Sequence, residues 1–110
     1  MVKRKPELPQ GTFDMLVLKA LSLGRMHGYG IAQRVEQMAE DMLRVEEGTL
    51  YPALYRIEQR GWIVGKWGVS ENNRRARFYA LTPAGRKRLA AEQAHWKYLS
   101  LAIRKVLEAT

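Results

Sequence analysis

The chain of 110 residues carries 19 Lys and Arg against 11 Asp and Glu, a formal net charge of +8, and contains no Cys. This length suits one small domain, and a hydrophobic content of 46% argues against global disorder. The lack of Cys excludes a disulfide framework and thiolate chemistry. Because no apolar run approaches the roughly 20 residues that span a bilayer, and no cleavable leader pattern follows the basic N-terminal residues, we expect a soluble, cytoplasmic protein without membrane contact.

The positive charge is concentrated in one part of the chain. Residues 1–59 hold eight basic and eight acidic side chains, whereas residues 60–88 hold eight basic side chains and only Glu71 as an acid. Such a window suits a polyanionic partner, since a protein that neutralises phosphates releases their counterions. A solvated face that only maintains solubility explains the charge equally well.

The N-terminal part predicts an arm, a helix and a turn. Residues 1–10 are basic and contain two prolines, and we expect a flexible arm. A first helix is predicted to begin with Thr12 as its N-cap and to end at Gly24, with a broader apolar surface than one small core needs. Residues 27–30 (HGYG) are predicted to form a turn.

Two further helices are predicted from apolar side chains at i, i+4 and i+7. The second carries this stripe from Ile31 to Met38, and the third, which follows residue 48, carries it from Leu50 to Ile57. Pro52 is expected close to the first turn of the third helix, where a missing N–H costs little.

After residue 61 the pattern changes to that of β-structure. Segments 62–67 and 75–81 are rich in aromatic and β-branched residues, and residues 70–74 between them have the composition of a turn. We therefore predict a two-stranded hairpin with Arg74 and Arg75 at its tip.

A long final helix is predicted from Thr82 as N-cap and Pro83 as first residue to about Glu108. Its apolar side chains follow an a/d heptad pattern that Glu92 interrupts. The residues in this seam are Leu89, Trp96, Leu99, Ile103 and Val106. Because the seam lies beyond the three-helix core, it is expected to pack on another chain.

Three helices followed by a basic hairpin are the order of elements in a winged helix-turn-helix. We predict a mainly α fold in which residues 11–82 form this domain, with a two-stranded β-wing, and residues 83–110 form a C-terminal dimerisation helix. In such a domain the third helix enters the DNA major groove, and the wing reaches the backbone or minor groove.

Several motifs match one protein family. The matching segments are 13–18 (FDMLVL), 27–31 (HGYGI), 48–54 (GTLYPAL), Glu58, 61–63 (GWI) and 77–86 (RFYALTPAGR). Over roughly residues 9–90 the chain resembles the PadR family of bacterial transcriptional regulators. Residues 46–48 and 67–75 look closest to the branch called Acidobacterial PadR-type regulators.

The resemblance implies a homodimer in which the C-terminal helix and first helix of each chain clasp the other. It also implies repression of a nearby gene, in this branch often a transporter gene, from a dyad-symmetric operator, with release by a small molecule. The residues predicted to contribute to dimerisation are Leu16, Leu89, Trp96, Leu99, Ile103 and Val106.

The candidate DNA-binding residues come from three elements, and surface or packing duty is the alternative for each. They are Tyr29 and Gln33 on the second helix, Thr49, Tyr51 and Tyr55 on the third, and Lys66, Arg74, Arg75 and Arg77 on the wing. Thr49 and Tyr51 match family positions that contact DNA, and Arg in a turn has little value for a core.

Other chemistry is weakly represented. Trp96 is a candidate for binding a flat apolar effector, with a core aromatic of the dimer seam as the alternative. No metal or other cofactor is expected, because His27 and His95 lack a ligand set, and His27 is interpreted as a turn residue. The two Asp residues and the two His residues show no catalytic spacing, so an enzyme is not expected. A winged-helix module that binds protein or RNA remains the alternative function.

Overall fold

The computed structural model describes residues 8–110 of the chain. In this part the elements follow the order α1 (Gln10–Ser22), β1 (Met26–His27), α2 (Gly28–Met38), α3 (Glu47–Gln59), β2 (Ile63–Val69), β3 (Arg75–Leu81) and α4 (Pro83–Leu107). The mainly α winged helix-turn-helix with a long C-terminal helix is the observed architecture. Most of the arm predicted for residues 1–10 lies outside the described residues.

Helix α1 is the centre of the core. It contacts α2, α3, α4 and β3, so its apolar side chains are buried on several sides. Phe13 and Leu18, which the helical spacing places off the main apolar face, are both buried within the chain. The expectation that this apolar surface exceeds the needs of one core is therefore largely wrong. The helix also begins earlier than the predicted Thr12 cap, because the backbone N–H of Phe13 donates to the carbonyl of Pro9 at 3.0 Å.

The segment predicted as a turn at residues 27–30 is a short strand followed by the start of α2. Met26 lies opposite Tyr79 and His27 opposite Phe78, so β1 adds to the wing and the sheet has the order β1-β3-β2. Nδ1 of His27 accepts a hydrogen bond from the backbone N–H of Gly30 at 3.0 Å and caps α2. The predictions of a turn and of a purely two-stranded sheet are therefore wrong. The sequence gives no sign of β1, because a strand of two residues is too short to show an alternation of apolar and polar side chains.

Helix α3 begins after Glu46 and buries Leu50, Leu54 and Ile57. Pro52 is its sixth residue counted from Glu47, two positions further in than a helix that starts after residue 48 would place it, and the helix continues through it. The cost is the intrahelical hydrogen bond that Pro52 cannot donate.

The wing is anchored to α4 at its base. Strands β2 and β3 pair from Ile63 opposite Leu81 to Val69 opposite Arg75. The side chain of Thr82 accepts from the backbone N–H of Gly85 at 3.0 Å and donates to the carbonyl of Gly61 at 2.7 Å. The predicted Thr82 cap and the Pro83 start of the helix are thus confirmed.

The heptad seam of α4 is divided between two environments. Leu89 is buried in the core of its own chain, whereas Trp96, Leu99, Ile103 and Val106 are between 40% and 75% exposed. Leu89 is therefore a core residue of its own chain, contrary to its assignment to the dimer seam. None of the helices formed by residues 8–110 has the length and hydrophobicity that crossing a bilayer requires.

Candidate nucleic-acid interface

The beginnings of α2 and α3 and the tip of the wing face one groove of about 860 Å³. The predicted DNA-binding residues that line it are Tyr29, Gln33, Tyr51, Arg74 and Arg75. They come from three elements that are far apart in the sequence, so the fold brings them to one concave surface. Arg34 and Gln37 also line the groove and were not among the candidates.

The three tyrosines present large rings to solvent. Tyr29, Tyr51 and Tyr55 are 59%, 47% and 67% exposed. Tyr51 and Tyr55 are four residues apart on α3 and share its exposed face. Thr49 is also exposed near the start of α3, but neither Thr49 nor Tyr55 lines the groove.

The candidate DNA-binding side chains of the wing lie on two different faces of its sheet. The register places Trp67, Arg75 and Arg77 on the face of buried Tyr79, because side chains alternate along each strand. The guanidinium of Arg75 lies 4.7 Å from the centroid of the Trp67 ring. Lys66 lies opposite Phe78 on the other face and does not line the groove.

Trp67 was not among the candidate residues. It lines a second groove of about 480 Å³, which Gly28, Tyr29, Tyr51 and Arg75 also line. The hairpin register would have identified Trp67, because residues 65, 67 and 69 of β2 share the face of the sheet that carries Arg75 and Arg77.

Arg77 is engaged within the chain. Its guanidinium donates to Oε2 of Glu58 at 2.6 Å, and the same oxygen accepts from the backbone N–H of Gly65 at 3.2 Å. Burial raises the pKa of Tyr79, and the neighbouring positive charge of Arg77 acts in the opposite direction. The ion pair ties the wing to α3, so the charge of Arg77 is already balanced.

The basic window of residues 60–88 divides into two clusters. Arg74 and Arg75 lie at the tip of the wing and Lys66 and Arg77 along its strands, whereas Arg60, Arg86, Lys87 and Arg88 lie at its base and on the first turns of α4. Seven-residue strands separate tip from base by about 20 Å. At the base, the guanidinium groups of Arg60 and Arg88 lie 5.3 and 4.8 Å from the Trp62 ring centroid, and Arg88 pairs with Glu92.

Of the other residues singled out from the sequence, Leu16 lies away from these grooves, whereas His27 lines both of them. Leu16 is partly buried and lines a shallow, mostly apolar groove of about 210 Å³ between α1 and α2, with Val35, Met38 and Leu43 among its other lining residues. His27, besides capping α2, packs edge-on against Phe78 at 5.4 Å between ring centroids, so its interpretation as a turn residue is wrong. Within residues 8–110, no three His, Cys, Asp or Glu side chains form a cluster suited to a metal ion.

Known proteins match both the sequence and this fold. The model of the transcriptional regulator PadR-like family matches residues 17–91. The transcriptional regulator Rv3488 of Mycobacterium tuberculosis is 31% identical over 87 residues, which cover 79% of this chain and 78% of that protein. An uncharacterised 37.1 kDa protein of transposon Tn4556 from Streptomyces fradiae is 41% identical over 79 residues, 72% of this chain, and the match spans 21% of its length.

A solved structure supports the same assignment. The structure of a transcriptional regulator from Clostridium thermocellum superimposes with a TM-score of 0.79 at 29% identity and covers 87% of this chain and 93% of that one. Sequence motifs, family model and fold therefore agree. The chain belongs to the PadR-like family of transcriptional regulators.

Proposed function

We propose that this chain is a homodimeric, sequence-specific double-stranded DNA-binding repressor of a neighbouring operon that a small-molecule effector releases. The observation that carries this proposal is the shared groove, in which Tyr29, Gln33, Tyr51, Arg74 and Arg75 meet from α2, α3 and the wing. Polar, aromatic and cationic groups on one concave face suit a nucleic-acid backbone and its base edges.

In the proposed complex the start of α3 enters the major groove. Thr49 and Tyr51 reach base edges, and Tyr29 and Gln33 on α2 contact phosphates. Arg74 and Arg75 lie in the wing and contact the backbone or the minor groove. No carboxylate of residues 8–110 forms an ion pair with either arginine, which leaves both charges available.

The C-terminal half of α4 supports the proposal that two copies of the chain form a dimer. Residues 90–107 contain no buried side chain and expose Trp96, Leu99, Ile103 and Val106. A helix in water depends on packing of its apolar face for most of its stability, and a matching helix of a second copy supplies that packing. Two-fold symmetry then calls for a dyad-symmetric operator with half-sites one helical turn or a multiple apart.

Trp96 is the proposed effector contact, since it is 47% exposed on the proposed seam. Its pairing with the Trp96 of a second copy forms an aromatic slot for a flat apolar molecule. A transporter operon is the proposed target, because transporter genes often neighbour the members of the branch that the chain resembles.

The direct test measures binding to the duplex upstream of the protein's own gene by fluorescence anisotropy. Tyr51→Ala is expected to weaken specific binding by about 1–3 kcal/mol, the usual cost of losing one good contact. Single-stranded RNA and shuffled duplex of equal length serve as competitors. Preferential binding of the RNA, or failure of the wild-type chain to retain the upstream duplex, would overturn the proposed function.

The contribution of the wing is tested by two double variants with the same change in charge. Arg74→Ala with Arg75→Ala removes two cations at the groove, and Arg86→Ala with Lys87→Ala removes two exposed cations at the base of the wing. Only the first pair is expected to reduce the slope of log affinity against log salt, by about one to two. Equal effects of the two pairs would show that the net charge acts as a whole and that the wing tip has no special role.

A further inference from the structure

The ring of Tyr51 lies directly against the first residue of α2. Gly28 is buried at this position, and a Cβ added to it would lie 2.9 Å from both Cε1 and Oη of Tyr51. Real Cβ atoms do not approach other heavy atoms so closely, so the seat of the ring exists only because Gly28 has no side chain. Both residues line the groove that also holds Trp67 and Arg75.

The backbone of Gly28 does not itself require glycine. The glycines with positive φ in the described part of the chain are Gly24 and Gly61, and Gly28 opens α2 in an ordinary conformation. Glycine is also a poor helix former compared with alanine. A glycine at this point therefore has no backbone advantage, and its use is the close approach of Tyr51.

We infer that Gly28 is a positioning residue for DNA binding: its missing side chain seats the Tyr51 ring against the start of α2 and aims it into the groove. This inference rests on the proposed function. With the outer end of the ring, Cε1, Cζ and Oη, against the start of α2, a side chain that is 47% exposed is held in one orientation before DNA arrives. Ordering the ring in advance lowers the entropy lost on binding.

A side chain at position 28 is expected to affect DNA binding without affecting the stability of the fold. The atoms that would meet the new Cβ are at the far end of a half-exposed side chain, and Tyr51 can relieve the contact by rotating outwards. Gly28→Ala is therefore expected to leave the thermal unfolding midpoint unchanged or slightly raised, because alanine favours the helix. The displaced Tyr51 ring, in contrast, loses its place in the groove.

The experiment compares Gly28→Ala with Gly11→Ala in operator binding and thermal unfolding. Gly11 is also a helical glycine, but a Cβ added there meets nothing within 4 Å. Gly28→Ala is expected to weaken operator binding by at least about fivefold, while Gly11→Ala has wild-type affinity. In a Tyr51→Ala background Gly28→Ala should produce no further loss, since the group that it displaces is absent.

Each outcome has a distinct meaning. Wild-type affinity of Gly28→Ala, additive losses in the double variant, or a chain that no longer folds would each overturn the positioning role. If the wild-type chain does not retain the upstream duplex, the proposed function fails before Gly28 is tested. Operator binding that is lost in Tyr51→Ala and retained in Gly28→Ala would refute the inference alone.

Discussion

The two halves of α4 form one continuous helix in opposite environments. At its start, Thr82 caps the helix, Gly85 packs against the carbonyl of Trp62, and Leu89 is buried in the core. From residue 90 onwards no side chain is buried, although apolar residues recur at the same heptad spacing. Heptad periodicity therefore identifies the apolar face of a helix, whereas the surrounding fold decides how much of that face its own chain buries.

The closest pair for this comparison is Leu89 and Leu99. The two residues have the same side chain on the same helix, but Leu89 is 6% and Leu99 40% exposed. We expect substitutions near Leu99 to weaken association between copies, and substitutions at Leu89 to weaken the fold of each copy.

The largest effect is expected from Leu99→Ala combined with Ile103→Ala. Each truncation removes on the order of 1–2 kcal/mol of apolar burial, and a symmetric dimer loses it in both copies, so association should weaken by about 4–8 kcal/mol. Sedimentation equilibrium measures the change, with exposed Lys97→Ala as the matched control on the same stretch of helix. A dimer that keeps its dissociation constant would contradict the seam.

Leu89→Ala is expected to act on folding. Truncation of a buried leucine leaves a cavity in the core and lowers the free energy of unfolding by about 2–5 kcal/mol. Urea denaturation followed by circular dichroism measures the loss, while sedimentation at concentrations far above the dissociation constant should still detect dimers. Dissociation without loss of stability would place Leu89 back in the seam.

A smaller effect is expected from Thr82→Ala. The variant loses the cap on the Gly85 N–H and the hydrogen bond to the Gly61 carbonyl, which should cost about 1 kcal/mol of unfolding free energy. Thr82→Ser keeps the hydroxyl and should recover most of the loss. If serine and alanine destabilise the chain equally, the methyl group rather than the cap holds the start of α4.

Much of the fold could be predicted because its signals are local. The Thr82 cap with Pro83, the stripes of α2 and α3 and the composition of the wing each depend on residues within a few positions of one another. The short strand β1 could not be predicted in this way. It has two residues and exists only through its pairing with Phe78 and Tyr79.

The candidate site was predicted in part for the same reason. Residue types favourable for DNA contact were visible at Tyr51, Arg74 and Arg75, and the structure brings them to one groove. The roles of Lys66 and Arg77 depended on strand register and on the ion pair with Glu58, which lies 19 residues away from Arg77. Composition alone does not distinguish a balanced cation from a free one.

The sequence by itself determined the helices, the Thr82 cap of α4, the position of the wing and the excess of positive charge, because these properties arise from local propensity and periodicity. The tertiary structure decided which apolar residues of α4 the chain buries, which face of the wing meets the groove, and how closely the ring of Tyr51 approaches Gly28. Those features depend on contacts between residues distant in sequence, and packing in three dimensions alone brings them together.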